Sequence, residues 1–304
     1  MNIKFKPIVF IVAVTFILAA CSTVNPGWTP DYETLAKDIK KSKKDGLILF
    51  TVSDNDERSL NILNNIFTEK TLSALDKKFL LHNVNIVKDE SAISSKQLEK
   101  NYILFSEYDV LEVPHLALMT SDGDVYHSEL IPEEVSTTEA FFEYLNSIKP
   151  KADLVMELKE KIGKAEGTEK IKAINAFFEK VYRVNSLKYE NLFDEGIQSD
   201  PKNETGFVGS FILAKKYLII DKLLAQKKYE EAINEFMSAI ETKMLNPEEE
   251  QGAWHNIAYI STYFEGGVKK DKILQYLQKA LQAAPSSSRA KDIKADIENL
   301  KNMK

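Results

Sequence analysis

The 304-residue chain holds one cysteine, Cys21, and no other. Everything after position 21 is therefore without a disulfide, a thiolate nucleophile or a cysteine-ligated metal. Basic charge is not in excess either, since 40 Lys and Arg stand against 46 Asp and Glu, a formal net charge of −6. That balance disfavours nucleic acid and predicts no polybasic surface for anionic lipid. The apolar stretch at the start, Pro7 to Ala20, is shorter than the about 20 residues of a spanning helix. The four histidines, His82, His115, His127 and His255, show no His-x-x-x-His spacing, and there is no glycine-rich phosphate loop or nucleophile elbow. No metal, no cofactor and no catalytic residue is expected. His115 and His127 flank one hairpin and could share a site, but solvated strand ends are the plainer reading.

What is present begins at the amino terminus. Lys4 and Lys6 precede the apolar run, and small residues close it, the pattern of a secretory signal. Leu18-Ala19-Ala20-Cys21 resembles the bacterial lipobox. The resemblance implies diacylglyceryl transfer to the Cys21 sulfur, cleavage before it, and acylation of the new amino terminus. Two or more acyl chains hold a protein to a bilayer stably, whereas one does so only marginally. Residues 1–20 are thus read as a lipoprotein signal peptide and 21–30 as a lipidated, turn-rich tether. An ordinary cleaved signal with a chance cysteine is the alternative, and the placement of the sole cysteine argues against it. The expected location is the bacterial envelope, at the periplasmic face, outer membrane or cell surface. Without the signal the chain keeps 284 residues, about two domains, and 46 acids against 38 bases.

Composition shifts near Pro150, where a helix is expected to end, and the domain boundary is placed there: 31–149 and 150–304. In the first part, Asp31 to Lys44 has helical spacing, and Leu47 to Val52 reads as a strand buried on both faces. A helical stretch follows, with Leu60, Leu63, Ile66 and Phe67 on one face, then a break before Leu72 and Leu75. Phe79 to Val87 is a second strand, and Leu98, Tyr102 and Phe105 mark a helix. His115 to Thr120 and Asp124 to Ser128 form a hairpin about Ser121-Asp122-Gly123, and Thr137 to Ile148 is a closing helix. Asp122-Gly123-Asp124 is read as turn chemistry only.

This order predicts a mixed sheet with helices on both faces. Together with Tyr108 to Met119, in which a tyrosine and a valine precede Pro114 and a strand, it resembles the thioredoxin fold over about residues 31–149. The resemblance implies a cis Val113–Pro114 bond and two redox cysteines at the helix after the first core strand. Aligned on Phe50, those positions fall at Asn55 and Arg58, to within about a residue. Neither side chain exchanges electrons, so oxidoreductase activity is excluded on chemical grounds. In the family, backbone beside the cis-proline pairs with extended peptides, so the implied partner groove consists of Asn55, Arg58, Val113, Pro114 and His115. Asp54, Asp56 and Glu57 suit a helix N-terminus by capping and charge–dipole attraction. Asp54-x-Asp56 also looks like the opening of a calcium loop, but Arg58 at the fifth position, Asn65 at the twelfth and the missing glycine count against it.

After Pro150 only helical periodicity remains. Leu154, Leu158 and Ile162 form one stripe, and Ile171, Ile174, Phe178 and Val181 another, with Thr168 as the N-cap between them. Phe207 to Gln226 is apolar all round and reads as a central helix. Tyr229, Ala232, Phe236 and Ala239 follow the spacing of a tetratricopeptide-repeat second helix, and residues 207–285 resemble about two such repeats. Trp254 and Tyr259 are assigned to the core. The resemblance implies a concave surface for a protein partner of unknown identity; a plain helical bundle is the alternative. The function expected is a non-enzymatic, lipid-anchored binding or scaffold module. Rival readings are an accessory of an envelope thiol–disulfide pathway that holds clients non-covalently, and an enzyme with a non-thiol site in the thioredoxin groove.

Overall fold

A computed structural model describes residues 27–182, 187–263 and 269–302, so Cys21 and the lipobox lie outside the described residues. The continuous apolar run becomes β1 (Asp45–Val52), with its centre fully buried. Leu47 and Leu49 enter one core while Ile48 and Phe50 enter another, as the two-residue period of a strand dictates. β1 pairs parallel with β2 (Phe79–Ile86) and antiparallel with β3 (His115–Met119), and β4 (Val125–Leu130) adds outside β3. The resulting order, β2-β1-β3-β4, is thioredoxin-like.

Helix α1 (Tyr32–Ser42), whose N-cap Asp31 accepts from Thr34 N at 2.7 Å, covers one face with α4 (Ser95–Glu107). The other face is covered by α2 (Glu57–Asn61), α3 (Glu69–Leu75) and α5 (Thr138–Lys164). The stretch after α2 is not the plain α-helix expected. Ile62–Ile66 is a π-helix, in which Phe67 N donates to Ile62 O five residues back. The wider turn sends Ile62, Ile66 and Phe67 into the core and leaves Leu60 40% exposed, because one added residue shifts the helical phase by about 100°.

The helix end expected at Pro150 is also absent, for α5 runs straight through it. Proline removes only the N–H that Asn146 C=O would accept, and both residues face solvent there. Packing on either side carries the helix across: Phe141, Ile148, Ala152, Val155 and Ile162 share one core. Those positions continue the upstream phase, which is why Val155 and not Leu154 is buried. The boundary drawn at 149/150 therefore falls inside a helix.

That core extends onward through α6 (Gly167–Phe178), α7 (Glu190–Ser199) and α8 (Val208–Ala225), bringing Phe177, Phe193 and Phe211 into one cluster with Leu47 and Leu49. Gly196 is required at one crossing, since a Cβ there would lie 2.3 Å from the Phe211 ring. The cap of α6 is Glu166, and Thr168 falls within the first turn instead of capping it. A second polar link joins the halves. Asp124, wholly buried, accepts from Lys159 Nζ at 2.8 Å, from Tyr189 Oη at 3.0 Å and from Lys188 Nζ. Asp124 is therefore not turn chemistry alone but the hub that fastens the hairpin to the helices.

The other side of α8 packs with α9 (Tyr229–Glu241), α10 (Pro247–Ser261), α11 (Lys270–Ala283) and α12 (Ala290–Asn302) in a separate core. Buried Ala232, Ala239, Ala253, Ala258 and Ala280 let these helices approach closely. Asn246 and Glu249 form a capping box at the start of α10. Trp254 stacks on Tyr276 at 5.9 Å, but Tyr259 is 60% exposed, contrary to its expected place in the core. Among the described residues no helix is long and apolar enough to cross a membrane.

Candidate functional site

The end of the sheet where β1 stops holds most of the residues from which a groove is expected. Beyond Val52 the chain turns through Ser53 to Asp56, and Asp56 caps α2 by accepting from Ser59 N at 2.6 Å. Asp54 Oδ2 accepts from Lys88 N at 2.7 Å and from Asp89 N at 2.9 Å. These backbone donors hold its carboxyl below the usual carboxylate range and tie the loop to the segment after β2. Capping and clamping thus account for the acidic loop. Behind it, Thr51 Oγ1 donates toward Asn83 and Asn85 Oδ1 (3.0 and 2.9 Å), and Asn85 Nδ2 donates to Ser53 Oγ at 2.6 Å. A cavity of about 610 Å³, lined in part by Trp28, Ser53, Leu60, Phe67, Asn83 and Asn85, opens beside this amide network.

In the segment leading into β3, the Val113–Pro114 bond is cis. Arg58 and the cis-proline segment are joined through one residue: Arg58 Nη2 donates to Ile131 O at 2.7 Å, and Ile131 N donates to Pro114 O at 2.9 Å. Asn55, Arg58, Val113 and Pro114 are thereby brought to the same end of the sheet. Arg58 is a strut and is already engaged. Asn55 is exposed, Val113 is half-buried, and Leu111, two residues before it, is 93% exposed. An apolar side chain so fully in water beside the cis-proline is the feature that spacing alone did not single out.

His115 departs from the expected groove. It is only 7% exposed, its ring stands edge-on to Phe50 at 5.8 Å, and its Nε2 pairs with Ser128 Oγ at 2.9 Å. Burial pushes its pKa down to about 4, so the imidazole is neutral at ordinary pH. The register Phe50↔His115 places it within the sheet, away from exposed Asn55. His127, expected at a solvated strand end, is buried as well, with Nε2 on Tyr144 Oη at 3.0 Å and Nδ1 3.3 Å from Lys151 Nζ. Its pKa is likewise lowered to about 4, chiefly by burial. Among the described residues no group of three His, Cys, Asp or Glu is arranged to hold a metal ion.

Comparison with known proteins gives three findings. Residues 207–304 match the family model TP_0391_C, described as an uncharacterised protein C-terminal domain. An uncharacterized protein of Treponema pallidum (strain Nichols) is 26% identical over 283 residues, covering 93% of this chain and 92% of that one. A solved structure titled DsbH oxidoreductase overlaps 40% of this chain and 82% of its own, at 17% identity and a TM-score of 0.36. The chain is thus similar, along nearly all its length, to an uncharacterised treponemal protein, and residues 207–304 are similar to a C-terminal domain family.

Proposed function

We propose that this chain is a lipid-anchored envelope protein that holds partner polypeptides without chemistry, through a thioredoxin-like domain that has lost its thiols and a helical domain similar to tetratricopeptide repeats. The observation that carries the reading is the state of the former redox corner. Asn55 and Arg58 stand where sulfur would be needed, and Arg58 is spent on Ile131 O. Beside them the Val113 N–H and C=O make no hydrogen bond among the described residues, which leaves them open to an extended chain. Leu111 supplies an apolar contact at the same rim. Alanine-seamed helix pairs α8/α9 and α10/α11, with α12 as an end piece, support the repeat reading of the second domain. Membrane attachment through Cys21 rests on the lipobox resemblance.

A photo-crosslinking residue at position 111 tests the groove in intact envelope. Discrete adducts with one or a few proteins are expected there and not from exposed Glu298 on α12; indistinguishable adduct patterns from the two positions would remove the groove as a binding site. Cys21→Ser tests the anchor: uncleaved or unanchored protein is expected, and unchanged membrane fractionation overturns it.

A further inference from the structure

A negative chain gave no expectation of a basic surface, yet the fold builds one. At the end of the sheet opposite the cis-proline, the α1–β1 turn brings Lys43 and Lys44, the α3–β2 turn brings Lys77 and Lys78, and α5 brings Lys149. These five residues rim a cavity of about 490 Å³ whose floor is apolar, formed by Leu75, Phe79, Leu118, Tyr126 and Phe142. Of the carboxylates nearby, Asp76 is taken by Lys44 at 3.3 Å, and Asp153 stands at the rim. Asp45 is half-buried, and its Oδ1 accepts from Ser121 N at 3.1 Å. Lys43, Lys77, Lys78 and Lys149 are exposed and make no ion pair among the described residues.

The described chain starts on the same face of the sheet, between its two ends: Trp28 pairs with Leu81, and Trp28 and Leu72 line the cavity beside Asn85. Gly27 packs on Leu72 of α3, so close that a Cβ would lie 3.2 Å from the Leu72 Cβ. Leu72 is one helical turn, about 5 Å, from Leu75 in the cavity floor. Five residues separate Gly27 from Cys21, six Cα–Cα steps with a reach of at most about 22 Å. A lipid on Cys21 would hold the bilayer within that distance of Gly27, a reach compatible with a bilayer against the lysine rim, and lysines act over about a Debye length, ~8 Å at physiological salt.

We infer that this lysine-rimmed apolar cavity is a docking surface for an anionic phospholipid bilayer, which orients the protein with its cis-proline groove facing away from the membrane. The inference takes the position of the bilayer from the Cys21 reading, but the surface acts through its own charge and is tested without the lipid. The chain beginning at Ser22 keeps every described residue. Its partition onto vesicles of phosphatidylcholine, with and without one-third phosphatidylglycerol, is measured by co-sedimentation at low and high salt. Binding only to the anionic vesicles, weakened by salt, is expected. Each lysine near such a surface contributes on the order of fivefold, so Lys→Glu at 43, 77, 78 and 149 together lowers the partition constant by at least about a hundredfold. Lys→Glu at 291 and 294 of α12 leaves it within about twofold, with far-ultraviolet circular dichroism confirming that both variants fold. No preference for anionic vesicles, equal loss in the two variants, or displacement by millimolar glycerol phosphate (a small-anion pocket) would overturn the inference. Failure of the Cys21→Ser experiment alone would leave these vesicle results standing.

Discussion

Asp124 shows what a single buried charge does in this protein. Burial alone would raise its pKa, but hydrogen bonds from Lys159 and Lys188 outweigh that and hold the carboxyl below its ordinary value. Asp124→Asn leaves two lysines facing a neutral group and is expected to destabilise by roughly 3 kcal/mol, read from urea unfolding. A depressed folded pKa means stability that is present above the unfolded pKa near 4 and is lost as pH falls through the folded value. The variant should accordingly lose part of the steep acid limb below about pH 4. The histidines act in a different window. His115 and His127 titrate near 4 when folded, against about 6.5 unfolded, so the unfolded chain takes up protons first. Thermal midpoints should fall as pH drops from about 6.5 to about 4, and His115→Leu should flatten that slope; an unchanged slope would show that His115 is not a contributor. None of this was legible in the sequence, where Asp124 looked like a turn residue and both histidines like strand ends. Partners 35 to 65 positions away, Lys159, Lys188 and Tyr189, decide the matter.

At the scale of elements, local signals located strands and helices well and their faces less well. The apolar run of β1, the hairpin glycine at φ +79° and the Asp31, Asp56 and Asn246 caps all do what their residue types dictate. Two elements depart because tertiary packing overrides a local rule. The π turn at Ile62–Ile66 follows from fitting Ile62, Ile66 and Phe67 into the core together, with Phe67 against Phe141 at 5.0 Å. The passage of α5 through Pro150 follows from apolar contacts on both sides. A proline inside a helix is nonetheless unfavourable, so Pro150→Ala should stabilise by about 1 kcal/mol or more in urea unfolding. A loss of stability would mean that the proline serves the local shape of α5. Asp56→Ala removes the cap of α2 and should cost about 1 kcal/mol while loosening the loop that carries Asn55; hydrogen exchange at Ser59 N reads the effect directly.

For the whole molecule, the placement of the cores matters more than the placement of the composition shift. One core runs from Leu47 and Leu49 through Phe141 and Val155 to Phe211 and Leu218, so the sheet and the first helices of the second half are one packing unit. A fragment of residues 27–149 would expose that face, and it is expected to lack a cooperative urea transition, whereas 27–226, which keeps α5 to α8, should retain one. A sharp transition in the shorter fragment would restore the boundary at 149. By itself the sequence determined what the chain cannot do beyond Cys21: with no thiol there is no thiol exchange, whatever the geometry, because atoms cannot be supplied by folding. It also determined the succession of strands and helices along the chain, since alternation and turn chemistry are local. Only the tertiary structure decided which groups meet: Arg58 with Ile131, Asp124 with three distant donors, and five lysines at one end of an acidic protein. Those pairings depend on long-range packing, which periodicity and net charge average away.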